Sequence, residues 1–305
     1  MPNQTLPSDI AAIYPFETRR KRLSCGFEMS YLDEGEGHPV VMVHGNPTWS
    51  FFYRNVVAAL KESCRCIVPD HIGCGLSDKP SSGYNYTLDQ RIRDLGELVE
   101  SLDLDRFDLI VHDWGGAIGI GMALQRMPQL RRLAILNTAA FVDSRIPKRI
   151  AICRFPLLGK VIVQGFNGFA GPATRMAVAK KPLPEAVKRG FLFPYRSWSD
   201  RKAVYQFVKD IPMHVTHPSF GRLIEIENGL LQLRKVPVAL FWGGKDFCFS
   251  DHFMNRWKRF LPQATVIHYA DAGHYILEDE KESVCTGIKE FVSYDEDGIP
   301  DTPLG

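Results

Sequence analysis

Six short apolar runs, at residues 40–43, 66–68, 109–111, 133–136, 238–242 and 266–268, alternate with stretches of helical periodicity. Apolar runs without polar alternation belong to strands covered on both faces, so the pattern predicts a mostly parallel sheet flanked by helices, an α/β architecture. Such sheets place their ligands beyond the carboxyl ends of the strands, which makes the segment after each run the place to look for chemistry. Residues 23–32 predict an antiparallel hairpin at one edge. Thr87, Leu88, Asp89 and Gln90 resemble a capping box, and Leu88, Ile92, Leu95, Val99 and Leu102 follow at helical spacing, which predicts a helix there.

The alternation stops at about residue 143 and resumes after about 230, a gap too long for an unstructured connection. The division predicted is therefore a core of residues 1–142 and 231–305, with a helical cap inserted at 143–230. Val204, Phe207, Val208 and Ile211 form a helical stripe in it, ending at Pro212. Its many aromatics, among them Phe155, Phe166, Phe169, Tyr195, Trp198 and Tyr205, read mainly as glue between cap and core, with a few lining an apolar pocket. The tail from about residue 294, rich in Asp, Pro and Gly, is expected to fray.

Net charge is only +2 over 305 residues, so no long-range field argues for nucleic acid or acidic lipid as a partner. Seven scattered cysteines without paired spacing fit neither a disulfide framework nor a zinc site, and a reducing cytoplasm is the simplest setting. No histidine shows metal-ligand spacing; neither metal nor cofactor is expected. There is no signal-peptide order at the N-terminus and no stretch of membrane-spanning length.

The run at 109–111 breaks into His112-Asp113-Trp114-Gly115-Gly116, a strand that enters a tight glycine turn and then a helix. Nucleophile elbows are built in this way, and here a carboxylate stands at the apex. An aspartate predicts a covalent ester on the enzyme's own carboxylate, which suits displacement at a saturated carbon and can be hydrolysed afterwards. Read blandly, Asp113 is a helix cap, since Asp is a good one. Three further strand ends argue for the sharper reading. His44-Gly45-Asn46-Pro47 follows the first run and could aim Asn46 into the cleft. Phe241-Trp242-Gly243-Gly244-Lys245-Asp246 delivers a second acid. Asp271-Ala272-Gly273-His274-Tyr275 follows the last run and presents an imidazole. The chain order Asp113, Asp246, His274 is the nucleophile, acid, base order of one known triad arrangement. His44 and His112 flank the proposed site and shape it; the loop Asp70 to Ser77 reads as a structural turn.

With these residues in place, the chain resembles the α/β-hydrolase fold, an eight-stranded mostly parallel sheet with an inserted helical cap, and within it the haloalkane dehalogenases. The resemblance rests on His44-Gly45-Asn46-Pro47, Val111-His112-Asp113-Trp114-Gly115-Gly116 and Ala272-Gly273-His274. It implies Asp113 as nucleophile, His274 as base, Asp246 as acid, and Asn46 with Trp114 as the halide-holding and oxyanion pair. The family's other acid position holds Asn137-Thr138-Ala139, without a carboxylate, so Asp246 is the acid to expect. That branch also includes the β-lactone decarboxylases of long-chain olefin synthesis, which Leu136 to Phe141, Pro194 to Trp198 and Asp210-Ile211-Pro212 resemble equally. The primary expectation is hydrolytic dehalogenation of a small apolar haloalkane with release of halide ion. The alternative is alkene and CO2 from a β-lactone. Third is epoxide hydrolysis, with Tyr195 and Tyr205 activating the ring, and a non-catalytic ligand-binding role stands last. The resemblance also implies self-association into a homo-oligomer.

Overall fold

Eight strands form one sheet: β1 Thr18–Arg22, β2 Glu28–Glu34, β3 His38–Val43, β4 Cys64–Pro69, β5 Phe107–His112, β6 Leu130–Leu136, β7 Val238–Gly243 and β8 Thr265–Tyr269. Their spatial order is β1-β2-β4-β3-β5-β6-β7-β8, in a computed structural model that describes residues 6–293. All pairs from β4 through β8 are parallel, and β2 runs antiparallel to both of its neighbours, β1 and β4. The six apolar runs are all strands of this sheet.

Within those runs the pleat sorts the side chains. Val41, Val43, Leu109, Val111, Ile135 and Leu240 face one apolar layer, whereas Val40, Met42, Ile110, Leu136 and Phe241 face the other. Each such side chain contributes about 1.5–3 kcal/mol by leaving water, so both faces are covered.

The edge hairpin differs from expectation. Its first strand is Thr18–Arg22, and residues 23–27 form the connection, with the Leu23 N–H donating to the Phe27 carbonyl at 2.9 Å. Four consecutive cations carry no apolar periodicity, yet an edge strand needs none on its outer side, and charge there blocks edge-to-edge association. Arg20 is held by Glu28 at 2.9 Å and Asp78 at 2.7 Å.

The helix Leu88–Ser101 begins as the sequence indicates: Thr87 Oγ1 accepts the Gln90 N–H at 3.4 Å. A cap of this kind is worth about 1 kcal/mol. Only half the box forms, because the Gln90 amide donates forward to Asp94 at 2.8 Å instead of reaching back.

Between β6 and β7 the chain is helical, including Lys148–Cys153, Ala170–Met176, Glu185–Leu192, Lys202–Lys209 and Phe220–Gly229. This segment is pinned onto the loop that leaves β3. Trp49 Nε1 donates to the Gly190 carbonyl at 3.0 Å, the Tyr195 hydroxyl to the Thr48 carbonyl at 3.3 Å, and Asn46 Nδ2 to the Val204 carbonyl at 3.2 Å. It therefore lies over the carboxyl ends of the strands. Phe191, Phe193, Tyr195, Tyr205 and Phe207 are buried as expected of glue, but Phe155, Phe166 and Trp198 point outward, 60%, 81% and 45% exposed. The expected frayed tail lies outside the described residues.

Candidate active site

Asp113 sits between the last residue of β5 and the first of the helix Trp114–Ala123, with φ 51° and ψ −129°. Non-glycine residues avoid such a conformation, at a cost on the order of 1–3 kcal/mol, so surrounding contacts must impose it. The Asp113 N–H donates to the Asn137 carbonyl at 3.2 Å, and its carbonyl accepts the Gly116 N–H at 2.9 Å and the Thr138 hydroxyl. The helix enters so close to β3 that a Cβ on Gly115 would lie 2.0 Å from the Val43 carbonyl oxygen. Only glycine fits there, and the turn lifts the carboxylate above the sheet.

Asp113 Oδ1 accepts the Asn46 N–H at 2.6 Å, and Oδ2 lies 3.6 Å from His274 Nε2. The other ring nitrogen of His274 is 2.7 Å from Asp246 Oδ2, while Asp246 Oδ1 accepts the Cys248 N–H at 2.6 Å. All three side chains are buried. Asp113, His274, Asp246 and Asn46, chosen from four separate stretches of sequence, are thus brought into one chain of contacts, and Trp114 joins Asn46 and Asp113 in lining one cavity.

At a helix N-terminus, free N–H groups favour the anionic form of Asp113. Burial acts against them and wins: the Asp113 pKa is raised, although the His274 charge and the Asn46 and Trp114 N–H groups pull it down. For His274 burial opposes the cation, but the charge and hydrogen bond of Asp246, with Asp113 beside it, outweigh burial and raise its pKa above 6.5. A base with a raised pKa is neutral only at higher pH. Any step in which His274 must accept a proton is therefore expected to speed up as pH rises through a pKa above 6.5, measurable as the acid limb of kcat for bromoalkane hydrolysis; a limb below 6.5 would contradict the arrangement.

Three residues that sequence reasoning passed over hold this geometry. Asn137, at the position where a triad carboxylate was looked for, donates from Nδ2 to the Gly243 carbonyl at 3.0 Å and accepts the Gly243 N–H at 2.8 Å. It clamps the end of β7, three residues before Asp246, and its own carbonyl receives the Asp113 N–H. His71 donates its N–H to His44 Nε2 at 3.1 Å, which fixes the His44 ring; burial pushes the His44 pKa down to about 4, so the ring is neutral. The Arg91 guanidinium is buried without a hydrogen bond among the described residues and lies 3.7 Å over the Phe207 ring, which in turn packs on Trp114. The signal available was the Asp70-His71 strand end, which reads as an ordinary turn when taken alone. His112, expected to shape the site, places Nε2 2.9 Å from the His274 carbonyl oxygen.

Two apolar cavities meet at Asp113 and Asn46. The larger, about 900 Å³ with its open mouth, runs between Trp114, Phe141, Val208, Leu223 and Phe253. The smaller, about 550 Å³, runs past His274 to Ile150, Cys153, Phe169 and Met176. Phe169 lines both, as a few of the helical segment's aromatics were expected to do. Tyr195 and Tyr205 line neither, which removes the observation on which epoxide opening rested.

A sheet of this order, an aspartate elbow and an Asp-His pair served from later strand ends define the α/β-hydrolase class. The chain belongs to that family: the model for the alpha/beta hydrolase fold matches residues 38–281. Within it, the chain is 46% identical over 273 residues to a cis-3-alkyl-4-alkyloxetan-2-one decarboxylase of Shewanella oneidensis, covering 88% of this chain and 86% of that one. It is 31% identical over 283 residues to haloalkane dehalogenase 2 of Mycobacterium tuberculosis, covering 91% and 96%. The crystal structure of the haloalkane dehalogenase DatA from Agrobacterium tumefaciens C58 superposes with a TM-score of 0.82 at 22% identity, covering 92% of this chain and 98% of that one, and so shares the fold. The protein is an enzyme of this family.

Proposed function

We propose that this enzyme converts cis-3,4-dialkyl β-lactones to alkene and CO2, with haloalkane hydrolysis as a second reaction of the same site. The observation that carries this order is the pair of apolar cavities meeting at Asp113, supported by the 46% identity to a decarboxylase of such a lactone. A β-lactone with alkyl groups on adjacent ring carbons has two apolar arms diverging from one reactive centre. A simple haloalkane needs one. In this reading residues 143–230 act as a cap whose packing sets the space for each arm.

Asp113 attacks ring carbon C4 in line as the bond from C4 to the ring oxygen breaks. The freed carboxylate faces the Asn46 amide and the Trp114 indole N–H, donors that help most as charge develops. The bond from C3 to that carboxylate then breaks, its electron pair forms the C3–C4 double bond, and Asp113 departs with the electrons of its bond to C4. Inversion followed by anti departure keeps the cis geometry, and no water is consumed. His274, oriented by Asp246, holds positive charge beside the departing carboxylate.

The Asn46–Trp114 pair also suits a departing halide, which is the observation favouring the second reaction. There Asp113 displaces halide, and His274 takes a proton from water as it attacks the ester carbonyl. The seven free cysteines support a reducing, cytoplasmic setting for either reaction.

Halide release from short bromoalkanes, measured beside alkene formation from a long-chain cis β-lactone, tests the order. Alkene formation should be faster in kcat/KM by on the order of 10²-fold or more, since remote binding energy of both arms supports the chemical step. Fast halide release with no alkene would reverse the two readings.

A further inference from the structure

Whole-chain charge conceals a local asymmetry. Between residues 144 and 184 there are eight Lys and Arg and no Asp or Glu, so the remainder of the chain is net negative. The same stretch contains most of the exposed large apolar side chains, among them Ile152, Phe155, Leu157, Leu158, Val161 and Phe166. Four of these, Phe155, Leu157, Leu158 and Phe166, are more than half exposed.

The apolar side chains are displayed by a built turn. Leu157 is held at φ 60°, the Gly159 N–H donates to the Phe155 carbonyl at 2.8 Å, and the Val161 N–H donates to the Leu157 carbonyl at 2.9 Å. Trp198 joins the patch from a later segment: a Cβ on Gly165 would lie 3.3 Å from its ring, and Lys160 Nζ stands 5.8 Å above it. Lys148, Lys160 and Arg175 are exposed around the apolar tip. Within 144–184 only Lys180 reaches a carboxylate among the described residues, Glu280 at 2.8 Å and away from this tip.

We propose that this face docks on an anionic phospholipid surface. Apolar tips that enter the headgroup region, ringed by cations that meet acidic headgroups, are the two contributions that hold a protein on such a surface. Charge decides against a second copy as the occupant, because a symmetric contact would set cations against cations with no carboxylate of the patch to answer them. No helix among the described residues is long and apolar enough to cross a membrane, so the contact is with the surface. The face adjoins the smaller cavity, which Arg149, Ile150, Cys153 and Met176 line from the same helices. An apolar substrate could pass from lipid to Asp113 by this route, whichever of the two reactions the site performs.

The test is co-sedimentation of the full chain with vesicles of phosphatidylcholine alone and of phosphatidylcholine with phosphatidylglycerol. Binding to the anionic vesicles is expected to be at least about tenfold stronger and to weaken with salt. Lys148→Glu with Lys160→Glu should remove that preference, and Phe155→Ser with Leu157→Ser should weaken binding on the order of tenfold, both with an unchanged Tm. If the apolar variant fails to fold, the charge variant decides. Equal binding to neutral and anionic vesicles, or variants that bind like the parent, would overturn the proposal. So would light scattering that shows an oligomer which the apolar variant splits into monomers, since the patch would then be covered by another copy.

Discussion

His274→Phe, given a short bromoalkane, releases one bromide per active site and then stops. In the proposed route alkylation needs the Asp113 carboxylate and the donors on Asn46 and Trp114, all of which the substitution leaves in place, although Asp113 loses the His274 charge that helps to keep it ionised. Hydrolysis of the ester needs a base, and His274 Nε2, 3.6 Å from Asp113 Oδ2, is the ring nitrogen turned toward it. Removing a positioned base costs about 10²–10⁴-fold, so the ester accumulates and the Asp113 peptide gains the mass of the alkyl group. A cis β-lactone gives a different outcome with the same variant. Departure of Asp113 in that reaction consumes no water, so alkene formation is slowed by loss of the His274 charge yet continues past one turnover. Oxygen-18 water separates the routes in the parent enzyme: bromoalkane turnover writes the label into the Asp113 carboxylate, and lactone turnover leaves it unlabelled. An unmodified Asp113 peptide in the stalled variant would remove the covalent route altogether.

The parts of this site that could be read from the chain are those in which one residue type answers to one local demand. An apolar run that ends in Asp113 followed by two glycines has few structural meanings, because Gly115 meets the backbone of β3 at a distance no other residue tolerates. Asp246 and His274 were legible through their order and their place after strands, although each alone is an ordinary surface residue type. What remained hidden depends on packing between elements distant in sequence. Asn137 reads as a lost acid until its amide is seen to clamp Gly243. His71 acts only through His44, and Arg91 only through Phe207. Strand β1 escaped because an edge strand can be cationic throughout. The outward turn at Phe155 and Leu157 escaped for the opposite reason, since density of aromatics suggests burial and periodicity carries no sign of which side is wet. Net charge failed in a similar way, averaging a cationic segment with an anionic remainder.

Gly45→Ala is expected to abolish both reactions while the protein remains folded. The Cβ it adds would lie 2.1 Å from Asp113 Oδ1 and 2.3 Å from Asp113 Cβ, so it overlaps the side chain proposed to attack. Asp113 cannot yield by moving its backbone, which Asn137 and Thr138 hold in the elbow, and the carboxylate must rotate out of line with the Asn46 N–H. A displacement of about 1 Å at a reacting atom can cost about 10²-fold, and losing the donor as well takes the expected loss to 10³-fold or beyond, on the order of the largest single-donor effects. The loss should appear in kcat for bromoalkane and lactone alike, because both begin with the same attack. Gly221→Ala is the matched control. A Cβ there meets nothing within 4 Å, and the position lies in the helix Phe220–Gly229, where alanine stabilises by about 0.5–1 kcal/mol over glycine. It should raise Tm slightly and leave both rates unchanged. Full activity in the Gly45 variant would mean that attack does not come from Asp113 in the position where the elbow holds it, and the shared first step of both reactions would have to be assigned to another group.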